Sequence, residues 1–176
     1  MGEMRKVLPH SFFNRLTLTV ARELLGCFLC RRIGKKVIRL EITEVEAYDG
    51  PNDKASHASR GLTKRNAPMW GEAGRWYVYF TYGMHWMLNI VTGSKSYPAA
   101  VLIRGTKEIS GPARLTKFLR IDTRFNSKKA SRKTGLWIER GTPAAQKRVQ
   151  RTPRIGVEYA GPVWSRKPFR FVLSVA

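Results

Sequence analysis

Residues 36–43 read KVIRLEIT, in which Ile38, Leu40 and Ile42 alternate with Arg39, Glu41 and Thr43. In an extended strand this alternation puts the apolar side chains on one face and the polar ones on the other. The chain must therefore contain a sheet with one face against a core. Carried forward without a bulge, the same parity turns Glu44 and Glu46 toward the interior side. A buried carboxylate is costly unless it is paired or has work to do. The stretch EITEVEAYDGPNDKASH (41–57) also holds Glu41, Asp49 and Asp53, so five of the chain's twelve acidic residues lie here.

The flanking segments give the sheet its company. TVARELLG (19–26) has the helical spacing of Val20, Leu24 and Leu25, with Gly26 as a C-terminal stop. CFLCRRI reads as a strand joined to the next by a turn at Gly34-Lys35. GPND (50–53) breaks the alternating strand, and residues 55–74 form a loop punctuated by Gly and Arg. RWYVYFTYGMHWMLNIV (75–91) reads as a β-hairpin around Gly83, apolar enough to be covered on both faces, with Trp76, Val78 and Phe80 in the core. AAVLIR (99–104) is another buried strand, and SGPARLTKFLRI (110–121) is a helix with Ser110 and Pro112 at its start and Leu115, Phe118 and Leu119 inward. Residues 128–154 hold nine Lys/Arg against one Glu and read as a basic loop region, before a last strand with Phe169, Phe171 and Leu173 alternating. The expected fold is α+β, a single domain over 1–176 with a mixed, mostly antiparallel sheet, few helices and a protruding hairpin.

The chain carries 33 Lys+Arg against 12 Asp+Glu, a net charge of +21. With 43% hydrophobic residues, five Trp, six Tyr and eight Phe, it has the material for a core and is no disordered basic tail. Such an excess of positive charge calls for a polyanionic partner, and nucleic acid is the first candidate. No basic amphipathic helix stands out and no apolar run approaches ~18 residues, which argues against a membrane. MGEMRKVLPHSFF reads as neither signal nor anchor, so an intracellular protein is expected. Cys27 and Cys30 form a lone C-x-x-C without a second pair or a His cluster. They are expected to be two buried side chains rather than metal ligands.

Two places carry chemistry. Glu46 is followed by Tyr48 and then His57 in the Gly- and Arg-rich loop. Around a pocket, these would suit stacking on a ring and activating a water. From periodicity alone, solvated or Arg-paired roles for Glu44 and Glu46 stay open. The other place is Tyr82-Gly83-Met84 at the hairpin tip, where most tips are polar. An apolar wedge on a basic protein is what insertion between base pairs requires.

With these residues in hand, the chain resembles the alkyladenine (3-methyladenine) DNA glycosylases of the human and bacterial methylpurine type. The likeness runs in order through EVEAYDGPNDKASHASRG, RNAPMWGEAGRWYVYFTYGMHWMLNIVTG, AVLIR, SGPARL, WIERG and GPVWSRKPFRF, almost the whole chain. It implies a monofunctional glycosylase acting on alkylated or deaminated purines in duplex DNA, with no cofactor, no metal and no membrane partner, working as a monomer. It also implies a fold related to the C-terminal domain of methionyl-tRNA formyltransferase. By the same resemblance, Glu46 matches the general base that activates water and Arg104 the arginine that positions it. Tyr48, His57 and Tyr79 match the residues that sandwich and hydrogen-bond the flipped base, and Asn89 the residue that disfavours the 2-amino group of guanine. Tyr82 matches the intercalating tyrosine. With Met84, Arg60, Lys64, Arg65 and Arg114 it makes up the expected DNA-contacting set.

The chain departs from that pattern in its short GTKEI connection (105–109), where a longer stretch with a helix is usual, and in Lys64, where proline is common. A three-residue hairpin turn would put Asn89 on the face of Tyr79, and a two-residue turn would not. The runner-up reading is a non-catalytic nucleic-acid binder, which would have no use for Glu46 and Arg104. A lyase working through Lys54 or Lys64 and a metal nuclease using Glu41, Glu44 and Glu46 are weaker alternatives. Structural or solvated roles are expected for Glu41, Glu44, Asp49 and Asp53.

Overall fold

The alternating stretch forms β2 (Lys36–Asp49), the spine of the molecule. In this computed structural model residues 5–144 and 148–174 are described; the first four residues of the N-terminal stretch and Lys147 of the basic stretch lie outside them. β1 (Phe28–Ile33) folds back on β2 through the Gly34-Lys35 turn, with Gly34 at φ 59 where a side chain would be strained. β5 (Ala99–Thr106) lies along the other side of β2, from Ile42 to Asp49. β8 (Arg170–Leu173) continues the β1 side by pairing with Glu44–Glu46, and β7 (Val149–Thr152) pairs with β8. The hairpin β3 (Trp76–Thr81) and β4 (His85–Val91) extends the sheet beyond β5, and β6 (Leu136–Glu139) closes the far side of β1. Every strand pairing is antiparallel, so the expected α+β class holds.

The helices are short: α1 (His10–Phe13), α2 (Thr17–Leu24), α3 (Pro112–Phe118) and α4 (Gly161–Trp164). α2 supplies Val20 and Leu24 to the main core, and α3 with the residue that caps it supplies Leu115 and Leu119; there they meet Trp76, Val78, Leu88, Ile90, Val101 and Ile103. Each large side chain buried fully here contributes about 1.5–3 kcal/mol. A second, smaller cluster of Ala58, Met69, Tyr77, Val91 and Ala100 lies on the other face of the sheet. Loop residues 50–74, with short 3-10 helices at His57–Arg60 and Ala67–Trp70, supply Ala58 and Met69 to it.

Four expectations are corrected. The register between β2 and β5 is irregular from Ile42 through Glu44 to Val45. Ile42 and Val45, three residues apart, both enter the main core, which an unbroken strand forbids. The bulge therefore moves Glu44, Glu46 and Tyr48 to the opposite face from Ile38, Leu40 and Ile42. Residues 128–154 are not only a basic loop, because LWIE supplies β6, with all four side chains buried, and VQRT supplies β7. Phe118, the last residue of α3, is 53% exposed, while Leu115 and Leu119 are buried. Phe80 is 44% exposed and packs on Trp86 at 4.7 Å between ring centroids, so the hairpin is covered on both faces only at its base. Cys27 and Cys30 are free and buried, as expected. Among the described residues no helix is long and apolar enough to cross a membrane.

Candidate active site

The bulge in β2 sets the site. Past it, Glu46 stands in a cross-strand row: Tyr77 opposes Asn89, Asn89 opposes Leu102, Leu102 opposes Glu46 and Glu46 opposes Arg170. Directly opposed residues share a face, so five strands contribute to one surface. The hairpin turn fixes its outer end. Thr81 pairs with His85 across a three-residue turn, and Asn89 thereby lies on the face of Tyr77 and Tyr79.

Glu46 is fully buried. One carboxylate oxygen accepts the Ile155 N–H at 2.7 Å, and the other accepts the Tyr48 hydroxyl at 2.9 Å with Arg104 Nη1 at 3.6 Å. Burial raises its pKa above the usual carboxylate range; Arg104, the Ile155 N–H, the Tyr48 hydroxyl and Arg154 offset part of that rise. Arg104 is held from behind, its Nε donating to Glu44 at 3.0 Å. The same Glu44 oxygen accepts Arg170 Nε at 2.7 Å. Glu44 thus has a structural partner role rather than a solvated one.

Tyr48 carries the site from Glu46 to a small cavity lined also by His57, Tyr77, Tyr79, Asn89 and Tyr159. His57 Nδ1 lies 3.0 Å from the Tyr77 hydroxyl, and its ring meets Tyr79 edge-on at 4.7 Å. Burial, helped by Arg65 and Arg60, lowers the His57 pKa to about 4, so the imidazole is neutral at pH 7. Asn66, itself buried, donates to the His57 and Gly61 carbonyls at 3.1 and 2.7 Å and fixes the loop that presents His57. Asn89 donates to the Tyr77 carbonyl at 3.1 Å, which fixes its amide against the cavity wall.

Outside the cavity, Lys54, Arg60 and Arg65 border a groove with Tyr159. The Arg65 guanidinium stands 5.1 Å from the Tyr79 ring and donates to the Phe80 carbonyl at 2.8 Å. Lys64 is exposed on the same loop. Tyr82 and Met84 project from the tip, 81% and 67% exposed, with Tyr82 at φ 53, a strained conformation for an aromatic residue. Arg114 is exposed on α3, whose packing is with the main core, and the structure does not bring it to the cavity. Among the described residues, then, Glu46, Arg104, Tyr48, His57, Tyr79 and Asn89 come together at or behind the cavity, with Arg60 and Arg65 at the adjoining groove, while Tyr82 and Met84 stand at the hairpin tip. Two residues that line the cavity were not among the expected ones, Tyr77 and Tyr159. The parity of Tyr77 with Tyr79 was the available signal for the first.

A model of the family described as methylpurine-DNA glycosylase matches residues 11–111 and 105–175 of this chain. A Methanocella arvoryzae protein is 42% identical over 185 aligned positions, covering 94% of this chain and 91% of that protein. One from Myxococcus xanthus is 43% identical, covering 93% and 88%. A third, from Nitrosococcus oceani, is 38% identical, covering 97% and 91%. All three are provisionally named 3-methyladenine DNA glycosylases. The chain belongs to the methylpurine-DNA glycosylase family. As a member it is a DNA glycosylase, an enzyme of DNA repair. The two pieces of the match to the methylpurine-DNA glycosylase model meet at the short connection after β5. There the chain closes a tight turn, the Thr106 N–H donating to the Ile109 carbonyl at 2.8 Å, and runs directly into α3.

Proposed function

We propose that this glycosylase flips alkylated or deaminated purines out of duplex DNA and hydrolyses the N-glycosidic bond with Glu46 as general base. The observation that carries this reading is a fully buried, proton-avid carboxylate one hydrogen bond behind the aromatic wall of a cavity. A base inside the stack is out of reach, so extrusion comes first, at an unstacking cost of a few kcal/mol. Tyr82, exposed at the hairpin tip with Met84, fills the gap. Lys54, Arg60, Lys64 and Arg65 neutralise phosphates around the cavity mouth.

Alkylation at N3 or N7 makes the purine cationic, which favours stacking on Tyr48 and Tyr79 by about 1–2 kcal/mol when desolvated. The same charge weakens the glycosidic bond. As the base departs, ionised Glu46 takes a proton from a water held against Arg104, and the water oxygen adds to the cationic sugar carbon. Neutral His57 and the fixed Asn89 amide read the edge of the base. The chemistry asks for neither metal nor cofactor, and the protein acts as a monomer on DNA inside the cell.

The test is base release from alkylated duplex DNA compared with a hypoxanthine duplex, with Tyr82→Ala assayed on one lesion in paired, mismatched and single-stranded contexts. A wedge is needed only where stacking must be broken, so Tyr82→Ala is expected to slow excision ~10-fold or more in the paired duplex alone. Equal slowing in all three contexts would place Tyr82 in the cavity or the packing instead. Release of no base from either duplex would return the protein to the reading of a non-catalytic binder.

A further inference from the structure

Asp53 and Arg154 are both buried completely at their side chains and have no direct part in the chemistry proposed above. Arg154 Nη1 and Nη2 donate to the two Asp53 oxygens at 2.5 and 2.8 Å. The same oxygens accept the backbone N–H groups of Asp49 and Ala55 at 3.1 Å each, which anchors the start of the His57 loop. Arg154 Nη1 also donates to the carbonyl of Ala47 at 2.8 Å, on the strand between Glu46 and Tyr48. Its guanidinium lies 4.9 Å from the Tyr48 ring and 5.1 Å from that of Phe169. The next residue, Ile155, gives its N–H to Glu46.

Three of the chain segments that meet at this pair, β2, residues 49–55 and residues 154–155, each touch Glu46 or the cavity wall. Stability alone is a poor account of it. Desolvating two charges is costly enough that a buried pair often gains nothing over apolar residues of the same volume. What a two-pronged pair does provide is fixed geometry. We infer that Asp53 and Arg154 are positioning residues for the hydrolysis, holding the Ile155 N–H on one oxygen of Glu46 and the Tyr48 ring at the cavity wall. This rests on the reading of Glu46 as the general base.

The consequence is readable in the pH dependence. Glu46 faces Tyr48 on its own strand, Arg104 from β5, Tyr79 from β3 and Arg154 from the segment after β7, with Glu44 and Arg170 behind Arg104. Burial favours the protonated acid, and the Ile155 N–H and Arg154 are among the groups that oppose it. Slackening the pair weakens that opposition while burial remains. Glu46 then ionises at a higher pH.

The experiment is single-turnover excision across pH for the wild-type protein, Arg154→Lys, Asp53→Asn and Glu46→Gln, each checked for folding by thermal unfolding. For Arg154→Lys and Asp53→Asn the acid limb is expected to move up by about half to one pH unit, in line with the loss of one N–H from a carboxylate. The rate at high pH should stay within a few fold of wild type. A rate lowered evenly at every pH, with the limb unmoved, would overturn the inference and leave the pair a structural one. If the pair variants do not fold, Ile155→Pro removes the one N–H with the pair intact, and the same shift or its absence decides. Excision retained by Glu46→Gln would instead overturn the general-base reading, whatever the pair variants do.

Discussion

Two buried carboxylates in this molecule, Glu46 and Glu139, are made to differ by their neighbours. Both are shielded from solvent, at 0% and 1% exposure, so burial pushes both toward the protonated form. Glu139, at the end of β6, accepts the Trp137 indole N–H at 2.9 Å, Arg39 Nε at 3.0 Å and Arg132 Nη2 at 2.9 Å. Together these outweigh burial, and its pKa is lowered. Glu46 has one backbone N–H and one hydroxyl, with its nearest cation at 3.6 Å, and its pKa stays raised. Arg104 makes its closer contact with Glu44 instead. A carboxylate saturated by charged donors is a poor base. One kept short of them can still accept a proton from water, and it is in that shortage that the environment of Glu46 differs from that of Glu139.

The widest separation between the two should appear in excision. Glu46→Gln is expected to cut single-turnover base release by ~10²-fold or more while leaving binding to abasic-analogue DNA within a few fold. Glu139→Gln should leave both near wild type, because β6 lies at the far side of the sheet from the cavity. Excision above about a tenth of wild type in Glu46→Gln would break the contrast, as would a comparable loss in Glu139→Gln.

How much of this was legible in the sequence divides along the same line. Alternation over 36–43 and the apolar hairpin gave the antiparallel sheet, because side-chain parity is a local property. The bulge at Thr43–Glu44 has no local marker such as glycine, so parity placed Glu46 on the wrong face. Glu139 was submerged in a stretch dominated by Lys and Arg, although the run Leu136-Trp137-Ile138 carried a strand signal. The Asp53–Arg154 pair joins residues 101 positions apart, and nothing in either neighbourhood announces the other. The hairpin left two turn lengths open. Tyr82 and Gly83 at positive φ resolve it, and only one of them is a glycine.

A smaller effect should separate the two acids in stability. At pH 7, Glu139→Gln removes the charge from two close ion pairs and is expected to cost about 1–2 kcal/mol in urea unfolding. Arg39 and Arg132 are 45% and 41% exposed and can return to water, which keeps the loss below that of a sealed pair. Glu46→Gln removes an incompletely compensated buried charge, and should be neutral or stabilising. A larger loss for Glu46→Gln than for Glu139→Gln would reverse the assignment of which acid serves the fold.

The smallest and sharpest effect is in how these differences move with pH. A raised folded pKa means that the contribution of Glu46 is fully present below the ordinary carboxylate value of 4.5 and is lost as pH rises through its folded value. A lowered one means that the contribution of Glu139 is present above 4.5 and is lost as pH falls through its folded value. His57 follows the second pattern in a higher window, losing its contribution between about 6.5 and 4 as the unfolded chain takes up a proton that the native imidazole refuses. Unfolding midpoints of wild type and the two variants, followed from pH 8 to 4, should therefore shift in opposite senses. The gap between wild type and Glu46→Gln should close on acidification while the gap to Glu139→Gln persists down to about pH 4.5. The His57 term is common to all three proteins and cancels in both differences, so a parallel course of the two gaps could not be blamed on it. That outcome would mean that Glu46 is as fully compensated as Glu139, and that the shortage of charged donors around it does not set its proton affinity.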